Sequence, residues 1–159
     1  MNSLAQKIQQ IITGEYNLIA NLANVSALIN EELSDINWVG FYLYEKETNQ
    51  LVLGPFQGRV ACIRINNGKG VCGTAFEQQE IQRIDNVHTF PGHIACDVRS
   101  QSELVIPFAF DTLNVFGVLD IDSPKLSRFT LEDQKNLGDC VRVLSEHYQS
   151  IDFSSGDDQ

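Results

Sequence analysis

The sequence predicts an α+β fold in which a mainly antiparallel central sheet carries flanking helices. Apolar residues recur at three- and four-residue steps near both ends of the chain, which is typical of amphipathic helices. Between them the apolar residues alternate, and short turns join the segments, which favours hairpins. The chain has 159 residues, 43% of them apolar, the size of one domain. We assign residues 1–150 to this domain and expect a disordered acidic tail over 151–159.

The elements follow from these patterns in chain order. A short helix over residues 3–12 precedes an amphipathic helix over 15–33. A glycine-rich loop leads into a short helix near residue 72, and Thr130 with Asp133 forms a capping box that starts the last helix. The predicted strands are residues 37–45, 51–56, 61–65, 81–84, 102–110 and 115–122.

Charge and hydropathy exclude several classes of function. A net charge of −10 argues against binding nucleic acid or an anionic membrane surface, because both need a basic patch. Apolar runs such as "ELVIPFAF" are too short to cross a bilayer. The N-terminal segment has neither a basic region nor a continuous apolar region, so we read no secretory signal. We therefore expect a cytoplasmic protein whose thiols are kept reduced.

Four cysteines give the strongest chemical signal. Cys140 lies on the apolar face of the last helix, where a thiol packs as a small hydrophobic group. Cys62, Cys72 and Cys96 instead lie in or beside glycine-containing loops, and loops carry function more often than core positions do. Their placement suits a dithiol–disulfide cycle in which one thiol attacks and a second resolves. Three buried, unreactive thiols remain the alternative.

A zinc site is a further alternative for the same cysteines. Cys62, Cys72 and Cys96, with His88 and His93, offer enough ligands. However, the chain has no Cys-x-x-Cys pair and the spacings are wide, which disfavours a structural zinc site. We expect the two histidines to order their loop rather than to catalyse, and we predict no metal.

Acidic and aromatic side chains form a second group. Asp120 and Asp122 share one face of their strand because the strand period is two, and Glu103 opens the preceding strand. Trp38 and Tyr42 share a face in the same way. The acidic face is either solvated or part of a closed pocket. In a closed pocket the carboxyl groups raise one another's pKa, so that one can stay protonated and act as a general acid.

Two segments carry a family resemblance. "GRVACIRINNGKGVCGTAFEQ" and "NVHTFPGHIACDVRSQSELVIP" together closely resemble the free methionine-(R)-sulfoxide reductases, which are stand-alone GAF-domain enzymes. The resemblance runs from about Trp38 to Asp122, and three cysteines lie at the family's positions. It implies a GAF-like fold and the reduction of free methionine-(R)-sulfoxide to methionine, with thioredoxin reducing the resulting enzyme disulfide. It implies no cofactor, and a homodimer is common for this fold.

The resemblance also assigns roles. It implies that Cys96 attacks, that Cys62 is the principal resolving cysteine and that Cys72 is an auxiliary thiol. It places Glu103, Asp120 and Asp122 in an acidic catalytic and substrate-binding pocket, with Trp38 and Tyr42 as its aromatic wall. The alternative functions are a GAF-type sensor or binding module without catalysis and a zinc-stabilised structural domain.

The implied chemistry fits these residues, with one question open. A protonated sulfoxide oxygen leaves more readily, and a thiolate that attacks the sulfur then becomes a sulfenic acid. Asp97 lies beside Cys96 and would raise the pKa of its thiol. Either Arg99, a histidine or loop amides compensate, or a carboxylic acid delivers its proton while the thiol ionises.

Overall fold

The computed structural model describes residues 2–94 and 96–149, and within these ranges the chain forms four α-helices and one six-stranded sheet. The helices are α1 Ser3–Ile12, α2 Leu18–Glu32, α3 Gly70–Gln78 and α4 Leu131–Gln149. The strands are β1 Trp38–Glu45, β2 Gln50–Gly58, β3 Arg64–Asn66, β4 Gln82–Ile84, β5 Ser102–Phe110 and β6 Val115–Ser123. The tail predicted over 151–159 lies outside the described residues.

The strands lie in the order β3-β2-β1-β6-β5-β4, and every neighbouring pair is antiparallel. The predicted α+β class and antiparallel sheet are therefore confirmed. None of the helices in the described part of the chain is long and apolar enough to cross a lipid bilayer.

The two faces of the sheet bury two separate clusters of side chains, as the alternation in β1 predicts. Val39 and Phe41 pack into a core shared with α1, α2 and α4. Trp38 and Tyr42 point to the opposite face, where they pack with α3. Cys140 belongs to the helical core and is 1% exposed, so its predicted position is confirmed. The sheet thus separates the helical core from the face that carries the candidate site.

Side-chain caps set the helix ends. Asn17 caps α2 by accepting a hydrogen bond from the Ala20 N–H, so this helix begins at Leu18 rather than at residue 15. The capping box of α4 is confirmed: the Thr130 N–H donates to Asp133 Oδ2 at 2.9 Å, and the Asp133 N–H donates to Thr130 Oγ1 at 3.0 Å.

One of the cysteine-bearing segments differs from the prediction. The third strand is Arg64–Asn66 rather than 61–65, because the Cys62 carbonyl accepts a hydrogen bond from the Tyr42 hydroxyl instead of joining the sheet ladder. Cys72 lies in the first turn of α3, directly after the glycine-rich loop, which agrees with a position beside that loop. Its side chain therefore comes from a regular element with a fixed direction.

Candidate active site

Strand register brings the predicted acidic residues together. Asp122 of β6 lies between its partners Trp38 of β1 and Glu103 of β5, so these three form one row across neighbouring strands. Asp120 lies opposite Gly40, two residues further along β1. The exposed fractions of Glu103, Asp120 and Asp122 are 7%, 5% and 9%. The acidic face is therefore a closed pocket and not a solvated surface.

Burial controls the protonation of this pocket. It is the main cause that raises the pKa of Glu103, Asp120 and Asp122, and the neighbouring charge of Asp120 raises the pKa of the other two further. Hydrogen bonds to Asp120 from Glu103 and Cys72 oppose the rise at Asp120. None of the ion pairs among residues 2–94 and 96–149 includes these carboxylates. The arrangement favours protonated Glu103 and Asp122 beside an ionised Asp120.

The Cys72 thiol belongs to the same cluster. Its Sγ atom lies 3.8 Å from Glu103 Oε2, and the residue is 5% exposed. Burial, followed by the charge of Asp120, raises the pKa of this thiol well above its usual value. Cys72 therefore stays a thiol in the folded protein, unlike a nucleophile activated by positive charge.

The aromatic wall also forms hydrogen bonds with the segment that carries Cys62. The Trp38 and Tyr42 rings lie 5.8 Å apart, with Gly40 between them on the same strand face. The Trp38 indole N–H donates to the Arg59 carbonyl at 3.2 Å, and the Tyr42 hydroxyl donates to the Cys62 carbonyl at 2.8 Å. The wall therefore also holds the segment that carries Cys62.

A disulfide joins two of the predicted redox cysteines. Cys62 and Cys96, 34 residues apart in the chain, are bonded with a Cα–Cα distance of 5.5 Å. Cys96 lines the pocket together with the acidic residues, whereas Cys72 and Cys140 are free thiols. Because Cys62 and Cys96 share this bond, the zinc set considered from the sequence cannot form in this state.

Asp97, the residue that follows Cys96, forms an ion pair with Arg99. Arg99 Nη2 donates to Asp97 Oδ2 at 2.8 Å, and Asn37 Nδ2 donates to the same oxygen at 3.1 Å. The Arg99 guanidinium is the main cause that holds the pKa of Asp97 well below its usual range. Of the alternatives left open by the sequence, two offset the Asp97 charge: the Arg99 guanidinium, and a loop amide, the Arg99 backbone N–H, which donates to Asp97 Oδ1 at 2.9 Å. The contribution of Asn37, which also donates to Ser100, had no signal in the sequence.

The start of α3 contributes backbone donors to the pocket. Residues Lys69, Gly70, Val71 and Cys72 line it, and the first hydrogen bond of the helix runs from the Gly73 N–H to the Lys69 carbonyl. The N–H groups of Gly70, Val71 and Cys72 have no acceptor within the helix, whereas the Lys69 N–H donates to the Asn66 carbonyl at 3.0 Å and Lys69 makes no side-chain cap. Such N–H groups at a helix start favour an anion.

The two histidines of the loop lie close together. The rings of His88 and His93 are 6.4 Å apart in an edge-on arrangement, and the His88 N–H donates to Asn86 Oδ1. His93 also lines the pocket, and burial lowers its pKa. These contacts agree with a loop-ordering role, whereas a part in catalysis is not tested.

A curled antiparallel sheet with a pocket between one face, a short helix and a long loop is the architecture of a GAF domain. Residues 20–140 match the GAF-domain family model, and the chain is a GAF-domain protein. Its sequence is 49% identical over 150 residues to free methionine-R-sulfoxide reductase of Escherichia coli, covering 94% of this chain and 89% of that protein.

Solved structures point to the same family. The fRMsr of Staphylococcus aureus in complex with substrate is 46% identical with a TM-score of 0.84, covering 91% of this chain and 93% of that one. The free methionine-R-sulfoxide reductase of Neisseria meningitidis in complex with its substrate is 38% identical with a TM-score of 0.86, covering 92% and 86%. The chain belongs to the free methionine-R-sulfoxide reductase family.

Proposed function

We propose that this protein reduces free L-methionine-(R)-sulfoxide to methionine, with Cys96 as the attacking thiol and Cys62 as the resolving thiol. The observation that carries the proposal is the Cys62–Cys96 disulfide at a pocket containing three buried carboxyl groups. The names of the relatives in E. coli, S. aureus and N. meningitidis support the same reaction. A sensor module has no need of a disulfide at its ligand pocket.

The reaction needs a proton and two thiols. Glu103, an acid whose protonated form the pocket favours, donates a proton to the sulfoxide oxygen while the Cys96 sulfur attacks the substrate sulfur, and the proton of the Cys96 thiol restores Glu103. Methionine leaves, and the oxygen stays on Cys96 as a sulfenic acid. The Cys62 thiol then attacks the Cys96 sulfur and releases the oxygen as water, which leaves the disulfide. Two thiols are oxidised and one sulfoxide is reduced, so the electrons balance.

Recognition of a free amino acid follows from the charges of the pocket. The substrate ammonium pairs with the ionised Asp120 and donates a hydrogen bond to Asp122. Neither acid has a cationic side chain as partner among the ion pairs of residues 2–94 and 96–149. The substrate carboxylate binds the N–H groups at the start of α3. The apolar part of the side chain packs on Trp38 and Tyr42. Peptide-bound methionine sulfoxide lacks both terminal charges and is refused.

The proposed cycle also needs a reductant, and we add to it a cellular compartment and an assembly state. A protein dithiol of the thioredoxin type reduces the Cys62–Cys96 disulfide, with Cys72 as an auxiliary thiol that can exchange with it. Such a cycle suits the cytoplasm, where thiols are kept reduced. A homodimer is the expected assembly for this fold.

Methionine release from the reduced protein tests the proposal. The wild-type protein should release methionine from the free (R)-sulfoxide but not from the (S) epimer, and Cys96→Ser should release none. Cys140→Ser is the matched control, because it removes a thiol from the helical core on the other side of the sheet. Substantial turnover by Cys96→Ser would refute the assignment.

A further inference from the structure

Three groups that bind metal ions converge inside the pocket. Cys72 of α3, Glu103 of β5 and Asp120 of β6 present one sulfur and two carboxylate oxygens that all lie within 4.8 Å of one another. The three residues are 5%, 7% and 5% exposed. Because they come from three different elements, no short spacing in the sequence signals the cluster.

An unpartnered oxygen shows that the cluster is incomplete by itself. Asp120 Oδ1 is buried and has no hydrogen-bond donor within residues 2–94 and 96–149, although Asp120 lines the pocket. A buried acceptor without a donor is unfavourable in free energy, because it has lost its hydrogen bonds to water and forms no others. The free oxygen therefore points to a cationic or hydrogen-bonding ligand that enters from the pocket side.

The donor set selects the kind of cation. Ca²⁺ and Mg²⁺ prefer six or more oxygen ligands, whereas one sulfur with two carboxylates suits a four-coordinate, thiophilic ion such as Zn²⁺. A tetrahedral ion with Zn–S of about 2.3 Å and Zn–O of about 2.0 Å separates sulfur from oxygen by about 3.5 Å. The observed distance from Cys72 Sγ to Glu103 Oε2 is 3.8 Å, so this pair needs only a small movement to bind one ion.

We propose that the substrate-free protein binds a thiophilic divalent cation of the Zn²⁺ class at Cys72, Glu103 and Asp120, with water from the pocket as the fourth ligand. The ion replaces the proton of the Cys72 thiol and the proton of the Glu103 carboxyl group, both of which pass to solvent, and no atom changes its oxidation state. The ion and the substrate ammonium of the proposed function both bind Asp120, so the two exclude each other. Only this competition rests on the proposed function.

In the oxidised protein the Cys62–Cys96 disulfide keeps these two cysteines from binding the ion. In the oxidised protein Cys62 and Cys96 are bonded to each other, so they cannot supply a thiolate. Cys140, the other free thiol, lies 1% exposed in the helical core. A metal–thiolate bond in the oxidised protein therefore identifies Cys72.

Titration of the oxidised protein with Co²⁺ tests the site through the near-ultraviolet sulfur-to-cobalt charge-transfer band. The band should appear in the wild type and in Cys140→Ser, and Cys72→Ser should remove it. Asp120→Asn should weaken binding by about tenfold or more, as expected for the loss of a group that holds the ion. A wild-type protein without the band, or a Cys72→Ser variant that keeps it, would overturn the proposal.

Free methionine, which carries the same ammonium as the substrate, tests the competition. Methionine added at saturating concentration should raise the apparent Kd for Co²⁺ by about tenfold or more. An unchanged Kd would overturn the claim that ion and ammonium both bind Asp120. Because the titration does not involve turnover, failure of the metal site and failure of the proposed reaction are observed in separate experiments.

Discussion

Replacing Asp120 with asparagine should separate ammonium recognition from chemistry. The side chain is 5% exposed, its Oδ1 atom has no hydrogen-bond donor, and its charge has no cationic partner among the ion pairs of the described residues. Asp120→Asn keeps the shape and removes the charge. A hydrogen bond to a charged group contributes about 1.5–3 kcal/mol, so kcat/KM for the free (R)-sulfoxide should fall by about 10-fold to about 150-fold.

The N-acetylated (R)-sulfoxide makes this prediction specific. Acetylation removes the ammonium from the substrate. The acetylated substrate therefore has no ammonium–Asp120 interaction to lose when Asp120 is replaced by asparagine. Asp120 also accepts hydrogen bonds from Glu103 and Cys72, and any disturbance of these groups should affect both substrates equally. The ratio of the two losses therefore isolates the ammonium contribution, which we expect to be about tenfold or more.

The assay measures methionine or N-acetylmethionine release at limiting substrate for wild type, Asp120→Asn and a control. Asp111→Asn is a suitable control, because Asp111 is an exposed aspartate between the same two strands, β5 and β6. Equal losses on the free and acetylated substrates would refute the assignment of Asp120 to the ammonium.

Three further predictions concern the thiols and the buried acids. Replacing Cys62 and Cys72 together with serine should permit one methionine per subunit and leave Cys96 reactive towards a sulfenic-acid probe, whereas continued cycling would show that neither thiol resolves. Cys140→Ala should lower the free energy of unfolding by about 1 kcal/mol without changing turnover; loss of cycling in a folded variant would contradict its core role. Burial raises the pKa of Asp122 in the folded protein, so the unfolded chain loses this proton first and stability falls as pH rises between the two pKa values. From about pH 5 to about pH 8 the unfolding free energy of Asp122→Asn should therefore fall less than that of the wild type. If the two plots of unfolding free energy against pH run parallel, the raised pKa of Asp122 is contradicted.

Local periodicity predicted much of the fold and the composition of the site. Alternation placed Trp38 and Tyr42 on one face of β1, and Asp120 and Asp122 on one face of β6, as the structure shows. These positions depend only on the two-residue period of a strand, which can be read from neighbouring residues. The roles of the cysteines came instead from resemblance to a family, and their tests remain those given above.

Contacts between distant segments could not be read from the same patterns. Asn37 reaches Asp97 across 60 residues, and nothing in its local sequence indicates that contact. The irregular backbone at Cys62 depends on the Tyr42 hydroxyl. This hydroxyl donates to the Cys62 carbonyl, which in a strand would accept a hydrogen bond from the neighbouring strand. Both features follow from tertiary packing, which overrides local strand propensity.

The most direct test of the proposed reaction is a single turnover of the fully reduced protein with free methionine-(R)-sulfoxide, followed by peptide mapping of the disulfides. We predict one methionine released per subunit and a new bond between Cys62 and Cys96, the pair that the structure joins. Absence of methionine release, or release with Cys62 and Cys96 both still reduced, would contradict the account.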